Sequence, residues 1–382
     1  KIDVNYPTLD EEVSIITREH ELQDKNKTET INSFLNAAQI EKFQNLVTQV
    51  LVEEHLLKYI AQIIVSTRSN QFLYLGASED MLPIFKGSNK QKITFKELLS
   101  HYGRMQAWIP FYKATLDSAK MPMEKYYRKM YSEGFTKRVS DSLYLRDDYH
   151  DTIMKLIIES PLIDKKEYRY SDFTFIILKQ YLEKVMGRHL DELVTNNFYK
   201  TLGMNNTLYN PLKKFDKSVI APTEIDTYFR HDTIQGYVHD MEAAMEAGVG
   251  GHAGIFSNAM DIAKIMQLYL QKGNYGGQQY FSEATFNDFN TCWFCAEGNR
   301  RGLGFDKPQI SGGGPTCGCV SMSSFGHTGF TGTMAWADPE TDIVYVFLSN
   351  RTYPDSNLPN KLSKENIRED IQKVIQDAII EK

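Results

Sequence analysis

The sequence lacks several features that would place it in a class at once. It contains no Gly-x-x-x-x-Gly-Lys-Ser/Thr loop, so it has no phosphate loop of the kind that cradles a nucleoside triphosphate. It contains no apolar run long enough to cross a bilayer. The net charge of -6 over 382 residues gives no reason to expect nucleic acid as a partner. What remains is an ordinary globular composition, 42% hydrophobic and 24% charged, with length enough for two domains.

Cysteine is scarce, and all of it falls late in the chain. The four cysteines form two close pairs, Cys292 with Cys295 and Cys317 with Cys319. Two such pairs can bind zinc, but Cys-x-Cys is tighter than the usual zinc-knuckle spacing. The pattern favours disulfides or free buried thiols over zinc, and it leaves these two alternatives open. We therefore predict no metal site and no cofactor.

The stretch 323–333 is rich in glycine and threonine and precedes a predicted hairpin. Two apolar runs, 334–337 and 343–348, with turn-forming residues between them, predict a pair of antiparallel strands. The stretch also contains three glycines: Gly326, Gly329 and Gly332. Glycine weakens an ordinary strand, so this pattern indicates that something approaches the backbone closely. A substrate and a glycine-kinked edge strand are both consistent with it.

Residues 1–78 predict a separate helical segment. Apolar residues recur at helical spacing in three stretches, and three helices with one apolar stripe each form a small bundle. The segment resembles the helical lid domain of MoxR-type AAA+ ATPases in four places: Asp3-Val4-Asn5-Tyr6-Pro7-Thr8-Leu9-Asp10-Glu11-Glu12, Tyr59-Ile60, Ser66-Thr67-Arg68 and Leu75-Gly76-Ala77-Ser78. That family continues with a Pro-Arg pair whose Arg reaches the nucleotide, whereas this chain has Glu79-Asp80. We therefore expect a lid-like module without a motor, whose helices are available to a protein partner.

Residues 79–382 carry two short motifs that belong together. They are Tyr170-Ser171-Asp172 and His327-Thr328-Gly329. With the segments around them they resemble the serine beta-lactamase and penicillin-binding-protein superfamily, class C-like, in the form attached to family-3 glycoside hydrolases. The segments that continue this pattern are 82–90, 93–101, 108–112, 202–207, 221–224, 238–240 and 248–257. The resemblance implies an α+β fold: a small helical bundle, 1–78, followed by a beta-lactamase-like domain, 79–382, with an antiparallel sheet flanked by helices.

The resemblance also implies roles for individual residues. The catalytic candidates are Tyr170 as proton carrier, Asp172 in the place of the family's Asn, His327 in the proton network, and Phe330, whose N–H donates to an oxyanion. The substrate-binding candidates are Ser171, Thr328, Gly329 and, in an aromatic loop, Trp108. For Tyr170 the alternative is a buried tyrosine with a paired hydroxyl. His252, in a glycine-rich turn, is predicted to be structural.

One expected element is missing. In the superfamily the attacking group is the Ser of a Ser-x-x-Lys motif at the start of a buried helix. No lysine in this sequence has a serine three positions before it, and the nearest pattern, Thr152 to Lys155, lies in the wrong order relative to the other motifs. The resemblance therefore implies that 79–382 lacks the N-terminal part of the domain. The join near Ser78 is a natural fusion, an engineered one or a gap in the record, and these alternatives stay open.

The predicted function is that of a beta-lactamase-related serine hydrolase domain for acyl transfer, incomplete or inactive because its nucleophile is absent. The predicted substrate is a small-molecule amide or ester. The alternative is a noncatalytic binding or scaffold protein, a fusion whose lid helices bind a partner. The hydrolase part suggests a periplasmic or secreted location and the lid-like part a cytoplasmic one, so the location stays open.

Several helices of the second segment are predicted from capping and spacing. Thr94 and Glu97 form a capping box. A helix after Tyr170 ends at Gly187 and has a predicted core face of Phe173, Ile176, Ile177, Leu182 and Val185. Another helix spans 261–269. The C-terminal helix is predicted to pack an apolar stripe on the sheet that holds His327: Ile367, Ile371, Val374, Ile375, Ala378 and Ile379.

Overall fold

The computed structural model of the protein describes residues 82–309 and 314–379. These residues fall within one unit of the chain, Gly76–Lys382. The segment 1–78, with its predicted helical bundle and its resemblance to a MoxR-type lid, lies outside the described residues. Within the described ranges no helix is both long and apolar enough to span a bilayer.

Helices occur along the whole described chain. The α-helices are α1 (Phe95–Leu99), α2 (Tyr149–Glu159), α3 (Phe173–Met186), α4 (Leu190–Val194), α5 (Met241–Met245), α6 (Ala259–Leu270), α7 (Glu283–Asn290), α8 (Lys361–Lys364) and α9 (Ile367–Asp377). A π-helical turn, Thr195–Tyr199, continues α4. Short 3-10 turns are Pro83–Phe85, Phe111–Thr115, Pro211–Lys213, Lys217–Val219 and Cys295–Glu297.

The strands form small antiparallel sheets. They are β1 (Tyr127–Arg128), β2 (Lys137–Ser140), β3 (Leu143–Leu145), β4 (Leu208–Tyr209), β5 (Pro222–Asp226), β6 (Asp232–Gln235), β7 (Ile255–Phe256), β8 (Asn274–Tyr275), β9 (Gln278–Gln279), β10 (Phe325–Thr328), β11 (Met334–Asp338) and β12 (Ile343–Phe347). Two sheets have three strands, in the orders β1-β3-β2 and β10-β11-β12. The remaining pairs are β4 with β7, β5 with β6, and β8 with β9. The predicted α+β class, with antiparallel sheets flanked by helices, is confirmed.

The predicted hairpin is formed by β11 and β12. Ala337 pairs with Val344, and β10 adds to the other side of β11 with His327 opposite Ala335. A buried apolar cluster joins α6 and α7 to this sheet: Met266, Leu270, Phe286, Phe325 and Ala337. The sheet therefore holds His327 on a strand backed by a packed core, which is the rigid support that a site requires.

The glycines of the stretch 323–333 are explained by the packing of the protein itself. A Cβ on Gly326 would overlap the carbonyl oxygen of Ala335 and would lie 2.5 Å from the ring of Trp336, which is almost fully buried. A Cβ on Gly329 would overlap the hydroxyl of Thr333. The close contact with the backbone of this stretch is therefore made by β11 and the turn before it. This agrees with the alternative of a glycine-kinked edge strand, which needs no substrate to explain the glycines.

The predicted capping box and helix end are confirmed, and one residue of the predicted helix face differs. The Thr94 hydroxyl accepts from the Glu97 N–H, and the Glu97 carboxylate accepts from the Thr94 N–H, which is the predicted capping box. Helix α3 ends at Gly187, whose φ of 62° is left-handed. Val185 was predicted in the core but is 50% exposed, because the last turn of α3 extends past the residues it packs on.

The prediction for the C-terminal helix was wrong in its orientation. Helix α9 buries Arg368 and Gln372, whereas Val374 is 68% exposed and its apolar neighbours Ile371, Ile375 and Ile379 are also exposed. The buried side is held by polar bonds, because Gln372 accepts from the Cys317 N–H at 3.0 Å and the Arg368 carbonyl accepts from the Tyr345 hydroxyl at 3.0 Å. Hydrogen bonds to backbone and sheet therefore set the rotation of α9.

The two cysteine pairs form disulfides, Cys292–Cys295 and Cys317–Cys319. This outcome selects one of the alternatives that the spacing had left open. In the part of the chain that the structure describes, no three His, Cys, Asp or Glu side chains come together as a metal site.

Candidate functional site

Arg301 lies at the centre of a buried polar cluster. One terminal nitrogen donates to Nε2 of His327 at 2.8 Å, and the other donates to the Tyr168 hydroxyl at 3.0 Å. The second nitrogen also lies 3.4 Å from the Asp306 carboxylate. Asp306 and Gly326 exchange backbone hydrogen bonds, which fasten the loop that carries Arg301 to β10. The guanidinium is therefore held by strand geometry as well as by its own contacts.

His327 has a defined proton arrangement. Its Nδ1 lies 2.7 Å from the carbonyl oxygen of Thr328, which can only accept, so Nδ1 carries the proton. Arg301 can only donate, so Nε2 presents its lone pair. Burial and the Arg301 charge lower the pKa of His327 below its ordinary value. The imidazole is therefore neutral at physiological pH.

Tyr170 lies beside His327 at the start of α3. The two ring centroids are 6.0 Å apart, and the ring of His101 is 4.4 Å from that of Tyr170. The Arg301 guanidinium lies 5.4 Å from the Tyr170 ring centroid. Burial, and next the Asp172 charge, raise the pKa of Tyr170 above its ordinary value. The phenol therefore keeps its proton and can donate it, rather than acting as a ready base.

His101 completes the aromatic part of the cluster. Its Nδ1 accepts from the Ser171 N–H at 3.2 Å, so the proton is on Nε2, which is buried and has no hydrogen-bond partner among the described residues. Burial, followed by the charge of Arg301 and by His327, lowers the pKa of His101 well below its ordinary value. An unpartnered buried N–H is unfavourable unless something else accepts from it, so this atom marks a position for a polar group.

Two carboxyls, Asp172 and Asp240, interact electrostatically with Tyr170, and a third, Glu242, interacts with both of them. Burial raises the pKa of Asp172 to about 6, with Asp240 adding to the effect and His252 opposing it. Both carboxyl oxygens of Glu242 are buried without a hydrogen-bond partner in the described ranges, and burial followed by Asp240 raises its pKa to about 8. The Ile109 amide lies near Glu242 without meeting hydrogen-bond geometry. His252 pairs with Asp240 at 2.8 Å, as expected of a structural histidine.

Phe330 lies in the turn that follows β10. Its side chain is 65% exposed, and its ring lies between the His239 ring, 5.5 Å away and nearly parallel, and the Arg351 guanidinium, 4.3 Å away. The Phe330 carbonyl accepts from Nε of Arg351 at 2.7 Å. Its N–H donates to no other described residue. A free N–H on a fixed turn is what an oxyanion donor requires.

The substrate-binding candidates are placed unequally. The Ser171 hydroxyl is buried and donates to the Gln106 carbonyl at 2.6 Å, so it positions the chain rather than facing a cleft. Trp108, two residues after Gln106, is 47% exposed. Thr328 is half-buried at the end of β10, and the Gly329 N–H donates to the Thr333 carbonyl at 2.8 Å. Trp108 and Thr328 therefore remain the side chains of this group that a ligand can reach.

The nearest substitute for the absent motif does not belong to this cluster. Thr152 and Lys155 are both exposed on α2, and Lys155 lies 4.0 Å from Glu159 on the same helix. Neither side chain contacts Tyr170 or His327 among the described interactions.

Sequence reasoning missed Arg301 and His101. The available signal for Arg301 was an arginine pair just before Gly302 and Gly304, where a loop of small residues brings a charge against a strand. His101 was visible only as the end of a helical segment, and its left-handed φ of 56° gave no sequence signal. Both contribute through contacts between residues far apart in sequence, which spacing does not reveal.

The similarity of this chain to known proteins covers far more than this cluster. A sequence profile of the family described as "Beta-lactamase" matches residues 44–365, a range that begins within the segment 1–78. A protein of Escherichia coli (strain K12) named "Putative D-alanyl-D-alanine carboxypeptidase" is 35% identical over 240 residues, which are 59% of this chain and 54% of that protein. A protein of the same name from Salmonella gallinarum is 33% identical over 246 residues, 60% of this chain and 56% of the other. The chain thus spans about half the length of the curated relatives it matches.

Among solved structures, the octameric penicillin-binding protein homologue from Pyrococcus abyssi is similar at a TM-score of 0.47 and 18% identity. The similarity covers 78% of this chain and 62% of that one. EstCE1, a hydrolase with promiscuous acyltransferase activity, is similar at a TM-score of 0.49 and 16% identity, over 79% of this chain and 80% of the other.

Proposed function

Because the chain belongs to the beta-lactamase family, we propose that residues 82–379 form the acyl-binding and proton-transfer wall of a class C-like hydrolase. The substrate class is a small amide or ester, and the names of the relatives favour a peptide amide that ends in D-alanine. The observation that supports this proposal is the convergence of Tyr170 and His327, 6.0 Å apart, around Arg301.

The roles follow from the protonation states. Tyr170 keeps its proton and donates it in a hydrogen bond to the bound acyl compound. His327 can accept at Nε2 only when a ligand displaces the Arg301 guanidinium from that nitrogen. Arg301 supplies positive charge beside the developing negative charge of the transition state. The Phe330 N–H is the oxyanion donor, and loss of one such donor typically lowers the rate about a hundredfold or more.

The covalent route needs a nucleophile that the sequence does not provide as Ser-x-x-Lys. We therefore propose that this chain binds acyl compounds without forming a serine acyl-enzyme. Residues 1–78 are proposed as a lid-like helical module that binds a partner. The noncatalytic binding protein is the second candidate, and the absent motif is the observation that favours it.

The test combines binding with intact mass. The full chain is incubated with a fluorescent penicillin and, separately, with a diacyl peptide ending in D-alanyl-D-alanine; binding is followed by fluorescence anisotropy and calorimetry, and adducts by mass spectrometry. We expect reversible binding that weakens in Tyr170→Phe and not in Tyr144→Phe, a half-buried tyrosine on β3. A covalent adduct on any serine would overturn the proposed absence of a nucleophile. No binding of either probe would overturn the acyl-binding wall.

A further inference from the structure

His239 and Glu224 form a buried pair beside the candidate oxyanion donor. Nε2 of His239 lies 2.8 Å from Oε2 of Glu224, whose side chain is 1% exposed. The Tyr228 hydroxyl donates to the same oxygen at 2.8 Å, and the Ser356 N–H donates to Oε1 at 3.0 Å. Burial alone would raise the pKa of Glu224, but the hydrogen bonds from His239, Ser356 and Tyr228 together lower it to about 2. Glu224 is therefore an ionised acceptor.

The ionised carboxylate fixes the tautomer of His239. A carboxylate can only accept, so Nε2 carries the imidazole proton and Nδ1 holds the lone pair. Nδ1 makes no hydrogen bond within the described ranges and is not enclosed, since the side chain is 11% exposed. A histidine held by a carboxylate on one nitrogen and open on the other has the arrangement of a general base with its orienting group.

The position of the open nitrogen relates it to the acyl site. The His239 ring is stacked on the Phe330 ring at 5.5 Å with an interplanar angle of 25°. Phe330 carries the free N–H proposed as oxyanion donor, and its turn continues from His327 on β10. The stacking therefore brings the His239 ring against the side chain of the residue whose N–H is proposed to hold an acyl oxygen. None of the roles assigned to the acyl site so far uses this pair.

We propose that His239, oriented by Glu224, activates a water molecule for direct attack on an acyl carbon bound at Phe330, so that the chain hydrolyses esters without a covalent intermediate. The inference rests on the proposed acyl-binding wall. The water oxygen forms a bond to the carbonyl carbon while its proton passes to Nδ1 of His239. The Phe330 N–H donates to the resulting oxyanion. The bond to the leaving alcohol then breaks, and the proton on Nδ1 passes to that alcohol, which restores neutral His239.

The experiment measures p-nitrophenyl acetate hydrolysis by the full chain. We expect a rate above buffer that falls about a hundredfold or more in His239→Gln, the usual range for loss of a general base. The matched control is His150→Gln. His150 also pairs with a buried glutamate, Glu246, at 2.7 Å, but it has no part in the proposed reaction. The control should keep the wild-type rate.

A second variant and one further readout keep the inference testable if His239→Gln folds poorly. Glu224→Asp retains the charge and shortens the reach, so kcat should fall with KM little changed. Intact mass during turnover should show no acetyl adduct.

Three outcomes would overturn the inference. They are a wild-type rate equal to buffer, a folded His239→Gln that keeps at least half of the wild-type rate, and an acetylated chain during turnover. If the D-alanyl peptide or penicillin binds reversibly while hydrolysis is absent, the direct-water route fails and the acyl-binding wall stands. If neither probe binds, both fail.

Discussion

Arg301 donates a hydrogen bond to Nε2 of His327 across 2.8 Å, and this bond determines which imidazole nitrogen carries the proton. The arrangement holds His327 neutral and links β10 to the loop that precedes it. It also places a fixed positive charge next to Tyr170. The hydrogen bonds of the candidate site are therefore organised by a residue that belongs to neither sequence motif.

Replacement of Arg301 by Met should raise the pKa of His327, because the Arg301 charge is one of the two main causes of its lowering. The imidazole pKa is measured by NMR titration of labelled histidine. The control is Arg300→Met: Arg300 pairs with Asp306 at 2.7 Å and contributes less to the lowering, so its removal should give a smaller rise. A His327 pKa that is unchanged in Arg301→Met would contradict the assigned bond.

Replacement of Glu242 by Gln should remove a pH-dependent loss of stability. The folded pKa of about 8 lies above the ordinary 4.5, so the folded protein holds this proton more tightly than the unfolded chain does. The stabilising contribution is complete below about pH 4.5 and is lost as the pH rises through about 8. In urea unfolding, the free energy of unfolding of the wild type, relative to that of Glu242→Gln, should fall by roughly 2 to 4 kcal/mol between about pH 5 and pH 8.

The control for this measurement is Glu297→Gln, an exposed glutamate that should give no such trend. Equal pH dependence of the wild type and Glu242→Gln would show that the carboxyl is hydrated in solution.

Replacement of Glu246 by Gln should be strongly destabilising at neutral pH. Glu246 is buried between His150 at 2.7 Å and Lys179 at 3.2 Å, and the change would leave Lys179 without its counter-charge. Breaking one side of such a buried pair costs about 3 to 5 kcal/mol. Burial alone would raise the pKa of Glu246, but His150 and Lys179 lower it to about 2, so its contribution is present above about pH 4.5 and is lost as the pH falls toward 2.

Chemical unfolding at neutral and acidic pH measures both effects. The comparison variant is Glu159→Gln, whose exposed partner Lys155 lies at 4.0 Å and should contribute little. A similar loss of unfolding free energy in both variants would show that the buried ion pair contributes no more than the exposed one.

Replacement of Gly326 by Ala should destabilise the β10-β11 pairing. The added Cβ would overlap the Ala335 carbonyl and the Trp336 ring, neither of which can move without disturbing the strand register. Overpacking of this kind costs about 1 to 3 kcal/mol. Thermal unfolding should show the loss, with Ser118→Ala on an exposed loop as the neutral comparison. Unchanged stability would mean that the strands separate readily at this point.

The features that local sequence could predict are those fixed by neighbouring residues. The Thr94 capping box, the end of α3 at Gly187 and the β11-β12 hairpin each depend on residues within a few positions of one another. The resemblance contributed the placement of Tyr170 and His327 in one family pattern, and the structure brings their rings together.

The features that could not be predicted depend on contacts between distant residues. Arg301 donates a hydrogen bond to the Tyr168 hydroxyl across 133 positions of sequence, and no local pattern predicts such a bond. Helix α9 has a clear apolar stripe, yet the Gln372 side chain accepts from the Cys317 N–H, the Arg368 carbonyl accepts from the Tyr345 hydroxyl, and the stripe faces outward. Periodicity gives the face that could be buried, and only tertiary hydrogen bonds decide whether it is.

The bond from the Ser356 N–H to Glu224 spans 132 positions, and beside it the Thr352 hydroxyl donates to the Thr223 carbonyl across 129. During synthesis on the ribosome, β5, which carries Glu224, emerges long before Thr352 and Ser356 do. The carboxylate that orients His239 therefore gains its full set of donors only when translation has passed residue 356. A nascent or prematurely terminated chain would hold the imidazole loosely, and the proposed activation of water by His239 would become possible only among the last events of folding.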